Sequence, residues 1–265
     1  MANNIHFPII ASLLPKDDPR YKKWLMSLKR RPPPWNKGKT KDTDYRVKKI
    51  SVTFRRKEID NFAVWRENAR KQGLIPSSYQ EFSKDVNLAF IIGLILGDGN
   101  LYKFPRTECL RIVLGTDKPL LLEYAQDIMH KVFSKEPRIR KRKNSECADI
   151  VIYQQHLGER LGIPIGARGK LPIKLPKWVW RNKEFLIGCL KGLFEAEGSF
   201  SIHLATYTYN LSFSNRNTSL LDEVEKALYL LGFHPERRYN AVRLRKKIEA
   251  FNFVELIQFR KYNLI

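Results

Sequence analysis

The chain is poor in the residues that form covalent cross-links and sulfur- or nitrogen-ligated metal sites. Its 265 residues include only three cysteines and five histidines. Cys109, Cys147 and Cys189 are far apart in the sequence, so they match neither a disulfide framework nor a zinc-ligand spacing. We therefore expect free thiols, a reducing compartment and no metal site built on cysteine or histidine.

Long apolar segments are also missing. The longest apolar run, Leu88 to Gly97, has ten residues, whereas a bilayer core of about 30 Å needs a helix of about 20 residues. The start MANNIHFPII has no basic segment followed by an apolar one, so no secretion signal is expected. These features predict an intracellular protein without a membrane partner, in the cytoplasm or nucleoid of a prokaryote or in an organelle.

Acidic residues are scarce relative to basic ones. The chain has 49 Lys and Arg against 27 Asp and Glu, which gives a formal net charge of +22. The hydrophobic share of 43% is typical of a globular protein. An excess charge of this size predicts a polyanionic partner, with a generic basic protein of the ribosomal kind as the alternative.

The basic excess is concentrated in residues 1–84, which hold 20 basic and 8 acidic side chains. The stretch KRRPPPWNKGKTK (29–41) contains three prolines and a glycine, which preclude a regular element. Asp42 or Thr43 is expected to cap a helix after it, and another helix is expected over about 59–72. We predict a basic, DNA-binding extension with a small core or none.

From residue 85 onward, one order of elements occurs twice: helix, two strands, helix, two strands, helix. The first copy covers 85–165, a proline-rich linker covers 166–182, and the second copy covers 183–265. The predicted fold class is α+β, with two pseudo-symmetric αββαββα half-domains and antiparallel four-stranded sheets.

The predicted strands alternate between apolar and polar residues. Leu110, Ile112 and Leu114 share one face, while Arg111 lies on the other. This period of two indicates sheets that pack helices on one side only. The free faces are either ordinary solvated surfaces or, because they carry many basic residues, a saddle for nucleic acid.

Two glycine-rich stretches occupy matching places in the repeat, GLILGDG (93–99) and GLFEAEG (192–198). Small residues recur at four-residue spacing in both helices: Gly93 and Gly97 in the first, and Gly188, Gly192 and Ala196 in the second. Such ridges let two helices approach closely, which would place Asp98 beside Glu197.

Two adjacent carboxylates repel, which raises a pKa unless a cation lies between them. Hard divalent cations suit oxygen ligands, and Mg²⁺ is the expected physiological ion. An acid and a glycine at the end of a helix can also be an ordinary turn. Two copies at matching places favour the metal site.

The motif pair resembles the double LAGLIDADG motif of single-chain homing endonucleases, and the resemblance covers about residues 86–265. It implies that the motif helices form the interface between half-domains and that the sheets saddle the DNA major groove. Asp98 and Glu197 would be the catalytic, metal-binding acids, with the backbone carbonyls of Gly97 and Ala196 as further ligands. Two or three Mg²⁺ ions would bind, and Mn²⁺ or Ca²⁺ is expected to substitute in binding.

The implied function is a monomeric, site-specific endonuclease for double-stranded DNA. It would recognise a long non-palindromic target and leave short 3′ overhangs by metal-dependent phosphodiester hydrolysis. A basic residue near the end of the second strand commonly assists in this family, and here SNRN offers Asn215 and Arg216. The first half has LGTDK instead, with Lys118 just beyond Gly115 and Thr116, which implies unequal cleavage of the two strands.

Polar and basic residues on and around the predicted strands are the expected readers of base edges, since arginine and lysine pair with guanine acceptors. They are Tyr102, Lys103, Arg106, Arg111, Arg138, Arg140, Arg142, His203, Tyr207, Tyr209, Arg238, Arg243 and Arg245.

The N-terminal stretch PWNKGKTKDTDYRVKKIS resembles the NUMOD3-type modules attached to homing nucleases. This resemblance implies DNA contacts by Trp35, Asn36, Lys37 and Lys39. A basic tail without fixed structure is the alternative.

Two other functions remain open for the same fold. An intron maturase would bind its host intron RNA, and a regulator would bind DNA without cutting it. The presence of both Asp98 and Glu197 argues against the regulator and, less strongly, against the maturase.

Overall fold

The computed structural model describes residues 15–262 except 58, 61, 76, 77, 144 and 170. Residues 1–14 of the N-terminal extension lie outside the described part. The chain divides into two compact units, residues 1–77 and residues 78–265.

The first unit contains three helices: α1 (Pro19–Arg30), α2 (Tyr45–Arg56) and α3 (Ala63–Lys71). The capping prediction was wrong, because α2 begins after Asp44, whose carboxylate accepts the backbone N–H groups of Arg46 and Val47. The predicted residues Asp42 and Thr43 lie in the preceding turn. Ala69 is the one buried residue in these helices, as expected for a unit with almost no core.

The second unit contains the repeat in the predicted order. Its first half comprises α4 (Val86–Asp98), β1 (Gly99–Phe104), β2 (Thr107–Gly115), α5 (Pro119–Phe133), β3 (Arg138–Lys141), β4 (Cys147–Gln154) and α6 (Leu157–Leu161). Its second half comprises α7 (Lys183–Glu197), β5 (Gly198–His203), β6 (Thr208–Ser214), α8 (Thr218–Leu230), β7 (Glu236–Arg238), β8 (Ala241–Leu244) and α9 (Lys247–Leu256).

Each half has one four-stranded antiparallel sheet, with strand order β1-β2-β4-β3 in the first and β5-β6-β8-β7 in the second. The predicted α+β fold class is therefore confirmed. One continuous core lies between the sheets and the helices, and Leu110, Ile112 and Leu114 are buried in it as the alternation predicted.

Three features of this unit differ from the sequence pattern. Phe82 packs edge-on against Phe133, so residues 78–84 belong to the larger unit rather than to the basic extension. Ile139, on the apolar side of the alternation, is 40% exposed, because β3 is a short edge strand. The linker is ordered where it is described, with Ile173, Leu175 and Val179 buried in the core.

No helix in the described part of the chain is long and apolar enough to cross a membrane.

Candidate functional site

The helices α4 and α7 touch backbone to backbone through their glycines. A Cβ on Gly93 would lie 2.1 Å from the carbonyl oxygen of Cys189, and a Cβ on Gly192 would lie 2.1 Å from that of Phe90. Only hydrogen fits in that space, which explains why two buried helices retain glycine at about 1 kcal/mol of helix propensity each.

The same close approach brings the ends of the two helices together. A Cβ on Gly97 would lie 2.5 Å from the Cβ of Ala196 and 3.4 Å from the Cγ of Glu197. Asp98 and Glu197 are the last residues of α4 and α7. The predicted small-residue ridges therefore meet, and the two acids lie at the same end of the helix pair.

The environment of both acids disfavours their charged forms. Burial, and then the negative charge of Glu197, raise the pKa of Asp98 to about 7, while the charge of Lys118 acts in the opposite direction. Burial also raises the pKa of Glu197. Two partly buried carboxyl groups near the C-terminal ends of helices form an electrostatically strained pair that a cation would relieve.

In the second half, the loop after β6 contacts Glu197 directly. The side-chain amide of Asn215 donates to Glu197 Oε1 at 3.3 Å. The carboxamide oxygen of Asn215 accepts the backbone N–H of Asn217 at 2.8 Å, which fixes the turn. Arg216 is exposed, and no hydrogen bond joins it to Glu197 among the described residues.

In the first half, the corresponding loop carries different chemistry. The backbone N–H of Thr116 donates to Glu146 just as that of Asn215 donates to Asn240, so Thr116 and Asn215 are structural counterparts. By the same correspondence, Asp117 matches Arg216 and Lys118 matches Asn217. The two halves therefore differ in the side chains beside their acids, as the sequence implied.

Glu195, two residues before Glu197, is hydrogen-bonded to the C-terminal segment of the protein. Its carboxylate accepts the backbone N–H of Arg260 at 2.6 Å and the hydroxyl of Tyr262. It is 2% exposed, and burial raises its pKa. Glu195 thus ties the C-terminal segment to α7, while its counterpart in the first half, Leu96, is buried in the apolar core.

The polar face of the first sheet brings several predicted readers together. Arg111 lies over the ring of Tyr102 at 4.9 Å and donates to its hydroxyl. Arg138 and Arg140 lie on β3, and their cross-strand partners Val151 and Asp149 lie on the same face as Arg111. Arg142 pairs with Asp149 at 2.7 Å, and Arg106 lies in the turn between β1 and β2.

The polar face of the second sheet carries His203, Arg238 and Arg243, and Arg245 follows just beyond β8. Arg238 and Arg245 both pair with Glu236. Tyr207 lies at the tip between β5 and β6, exposed and with a φ of 50°.

Two predicted readers point elsewhere. The register places Lys103 on the same face of β1 as the buried Leu101, opposite Tyr102. It places Tyr209 with Leu211 on the core face, where Tyr209 is 9% exposed and packs against Phe251. These two residues do not lie on the polar faces, because alternate residues of a strand point to opposite sides of the sheet.

Sequence reasoning missed Asn100 and Asn210, which lie opposite Arg111 and Ser201 on the polar faces. Their side-chain oxygens are buried without a hydrogen-bond partner among the described residues, and so are the Nε atoms of Arg111 and Arg243. The alternation that identified Arg111 would have found Asn100, two residues before Tyr102. Buried polar atoms without a partner are rare in native proteins, which sets these groups apart on the two faces.

In the N-terminal unit, Trp35, Asn36, Lys37 and Lys39 are exposed in and just after a turn closed by Gly38. The Trp35 ring contacts the guanidinium of Arg46 at 4.9 Å, and Lys39 pairs with Asp44 at 3.1 Å. An open pocket of about 480 Å³ lies beside them, lined by Trp35, Tyr45, Arg46, Lys49, Ile50, Thr53 and Phe54. The motif is thus attached to the start of α2 by a cation–π contact and an ion pair.

Metal ligands other than the two acids would come from main-chain or side-chain amide oxygens, from water or from a partner. Within the described ranges, no group of three or more His, Cys, Asp or Glu side chains is placed to hold an ion. The oxygen donors of Asp98, Glu197 and the adjacent carbonyls of Gly97 and Ala196 suit a hard divalent cation that retains water or phosphate ligands.

Comparisons with known proteins found similar solved structures and one matching family model. Two structures of the homing endonuclease I-DmoI are each 20% identical to this chain. One, a mesophilic variant, has a TM-score of 0.46 over 65% of this chain and 94% of the other. The second, in complex with DNA and Mn, has a TM-score of 0.47 over 68% and 100%.

The N-terminal LAGLIDADG domain of DUF199/WhiA is 18% identical, with a TM-score of 0.44 over 68% of this chain and 86% of the other. A search of curated proteins found no match. Residues 184–261, from the start of α7 past the end of α9, match the model of the LAGLIDADG-like domain, so the half of the chain that carries Glu197 is similar to that family.

Proposed function

We propose that this protein is a site-specific endonuclease that cuts both strands of a long, non-palindromic DNA target. The observation that carries the proposal is the pairing of Asp98 and Glu197 at the touching ends of α4 and α7, each followed by a sheet with a basic polar face. A structural turn would not require two acids in an environment that raises the pKa of both.

Asp98 and Glu197 would hold two or three divalent cations, Mg²⁺ by preference, together with the carbonyls of Gly97 and Ala196. Such cations supply an activated water and stabilise the negative charge of the scissile phosphate and the leaving oxygen. Binding would also offset the burial and the repulsion by Glu197 that together raise the pKa of Asp98.

The protein's own side chains would orient the reacting groups. Asn215 holds Glu197 Oε1 by its amide and would fix the carboxylate in one rotamer. The positive charge of Lys118 lowers the pKa of Asp98, which makes Lys118 the candidate basic helper of the first site. Arg216 is exposed and suits a phosphate contact.

Target recognition would use the polar sheet faces. Arg111 and Asn100 lie opposite each other on the first face, and Arg243 and Asn210 lie on the second. Arginine can pair with guanine edges and asparagine with adenine edges in the major groove. Because the two faces carry different residues, the two half-targets would differ in sequence.

The N-terminal unit would extend the footprint through phosphate contacts. Lys39 and Arg46 contact the exposed Trp35, and Lys37 lies in the same turn, a combination that suits a nucleic acid backbone. Asn36 lies in the same turn and would add a neutral contact.

The test uses duplex DNA that joins the sequences on the two sides of the gene or of its host intron. With Mg²⁺, the wild-type protein should cut this junction and leave short 3′ overhangs. Asp98→Asn and Glu197→Gln should bind it in Ca²⁺ as well as the wild type does, yet fail to make a double-strand break. Asp127→Asn, which removes a surface carboxylate paired with Lys131, is the matched charge control for nonspecific loss.

Unaltered cutting by either acid variant would overturn the proposal. Binding without cutting by the wild type would indicate a regulator. Stimulation of intron splicing that survives both acid substitutions would indicate a maturase.

A further inference from the structure

Arg168, in the linker between the two halves, contacts the helix end that carries Asp98. One guanidinium nitrogen, Nη2, donates to the carbonyl oxygens of Ile95 and Gly99, each at 2.6 Å. Ile95 begins the last turn of α4, and Gly99 is the first residue of β1. The two carbonyls therefore bracket Asp98 on the chain.

This contact is favourable both as a hydrogen bond and as a charge interaction. The carbonyl of Ile95 also accepts the backbone N–H of Gly99, so Arg168 uses its second lone pair, and the C-terminal end of a helix attracts cations. An acid at that end is unfavourable, so a partly buried guanidinium there offsets the effect of Asp98 on the helix. Burial lowers the pKa of Arg168, as expected for a cation removed from water.

The main chain of Arg168 is fixed from the second half. The side-chain amide of Asn217, the residue before α8, donates to the carbonyl oxygens of Arg168 at 3.2 Å and Leu171 at 2.9 Å. Asn217 is 7% exposed, and its own N–H is held by Asn215, the residue that contacts Glu197. The backbone N–H of Gly166 also donates to Leu101 of β1 at 2.8 Å.

The two acids are held differently. The carbonyls that correspond to Ile95 and Gly99 in the second half belong to Phe194 and Gly198, and no side chain donates to either within the described ranges. Glu197 is held instead through its own carboxylate by Asn215. The end of α4 thus depends on a residue outside its half-domain.

We propose that Arg168 is a positioning residue for Asp98. It holds the junction between α4 and β1 against the turn beside Glu197, and so determines the position of Asp98 relative to Glu197. The consequence for cleavage rests on the proposed function, whereas the positioning itself does not. Loss of the guanidinium should loosen the C-terminal end of α4, which carries Asp98, and leave the C-terminal end of α7, which carries Glu197, in place.

The experiment compares Arg168→Met with Arg160→Met in the full chain. Arg160 is the matched control, because it also donates to a main-chain carbonyl, that of Gln80 at 2.8 Å, and packs on Phe82, yet does not touch α4 through hydrogen bonds. Hydrogen exchange without DNA or metal measures the positioning. Arg168→Met should speed exchange in the segment from Ile95 to Phe104 at least several-fold, and Arg160→Met should leave that segment unchanged.

Strand-resolved cleavage on the target measures the consequence. Asp98→Asn identifies the strand that depends on Asp98, and Arg168→Met should slow that strand on the order of tenfold more than the other. Arg168→Lys, which retains a cation with a single donor group, should recover part of the rate. It also keeps the test decisive if the methionine variant does not fold.

Unchanged exchange in that segment for both Arg168 variants would overturn the proposal, as would equal slowing of both strands. A wild type that cuts no DNA would contradict the nuclease function only, since the exchange result would still decide the role of Arg168.

Discussion

Gly93 of α4 and Gly192 of α7 face each other at the centre of the helix pair, where a Cβ on either residue would lie 3.0 Å from the Cα of the other. This contact joins the two halves of the repeat and sets the separation of the helix ends one turn later. The site therefore depends on two residues that have no side chain.

Substitution of this contact should destabilise the protein. We expect Gly93→Ala to lower the free energy of unfolding by on the order of 2–3 kcal/mol, because the new methyl group would meet backbone atoms that cannot rotate away. Thermal or urea unfolding measures the change. Gly169→Ala is the matched control, since its Cβ would meet nothing within 4 Å; equal effects of the two substitutions would contradict the packing.

Asp98 should destabilise the metal-free protein at neutral pH. Its pKa is raised to about 7 from an unfolded value of 3.8, so the folded state keeps a proton that the unfolded chain has released. Stability should therefore fall as the pH rises from about 4 to about 7. Asp98→Asn removes this unfavourable contribution of the carboxylate to the free energy of unfolding. After allowance for solvent screening, it should stabilise the protein by on the order of 2 kcal/mol near pH 8 and by almost nothing near pH 4.

Unfolding in EDTA at both pH values measures this difference. Asp127→Asn, a surface change beside Lys131, is the control. An Asp98→Asn variant that is less stable than the wild type at pH 8 would show that the carboxylate has a structural partner.

Divalent cations should raise the melting temperature through the two acids. We expect Mg²⁺ or Mn²⁺ at about ten times its dissociation constant to stabilise the wild type by about 1.4 kcal/mol, since the ion binds the folded state only. The double variant Asp98→Asn, Glu197→Gln should show no such shift. A shift of equal size in that variant would place the ion elsewhere.

Glu195 and Glu197 should behave in opposite ways. Glu195→Ala leaves the N–H of Arg260 and the hydroxyl of Tyr262 without their acceptor, and should lower stability by on the order of 2–3 kcal/mol. Glu197→Ala should be neutral or stabilising without metal, because burial raises its pKa and, among the described residues, its carboxylate accepts only the 3.3 Å hydrogen bond from Asn215. Unfolding in EDTA compares the two, and a larger loss in Glu197→Ala would reverse the assignment.

Asn215 and Arg216 should separate into two roles. Asn215→Ala frees Glu197 Oε1 and should slow cleavage of one strand by on the order of tenfold while DNA affinity is unchanged. Arg216→Ala should weaken binding and reduce its salt dependence by about one phosphate contact. Single-turnover cleavage and gel-shift titration at two salt concentrations distinguish these effects; equal changes in rate and affinity for Asn215→Ala would exclude a positioning role.

Some features follow from local sequence pattern alone. The bounds of α4 and α7, the alternation of β2 and the repeated order of elements were predictable, because apolar periodicity and glycine stops act over a few residues. The glycine spacing also indicated that Asp98 and Glu197 would meet, since small residues four apart form a ridge on one side of a helix.

Other features were decided only by the tertiary structure. The faces of Lys103 and Tyr209 depend on strand register, which pairs residues far apart in the chain. Hydrogen bonds also join residues 67 to 73 positions apart in the sequence. Tyr262 donates to Glu195, and Arg168 donates to the carbonyls of Ile95 and Gly99. The sequence by itself determined which elements form and which acids meet. The fold determined what holds the ends of the two helices that carry those acids, because Arg168 comes from a linker and Arg260 and Tyr262 from a terminal segment, and neither has a periodic pattern.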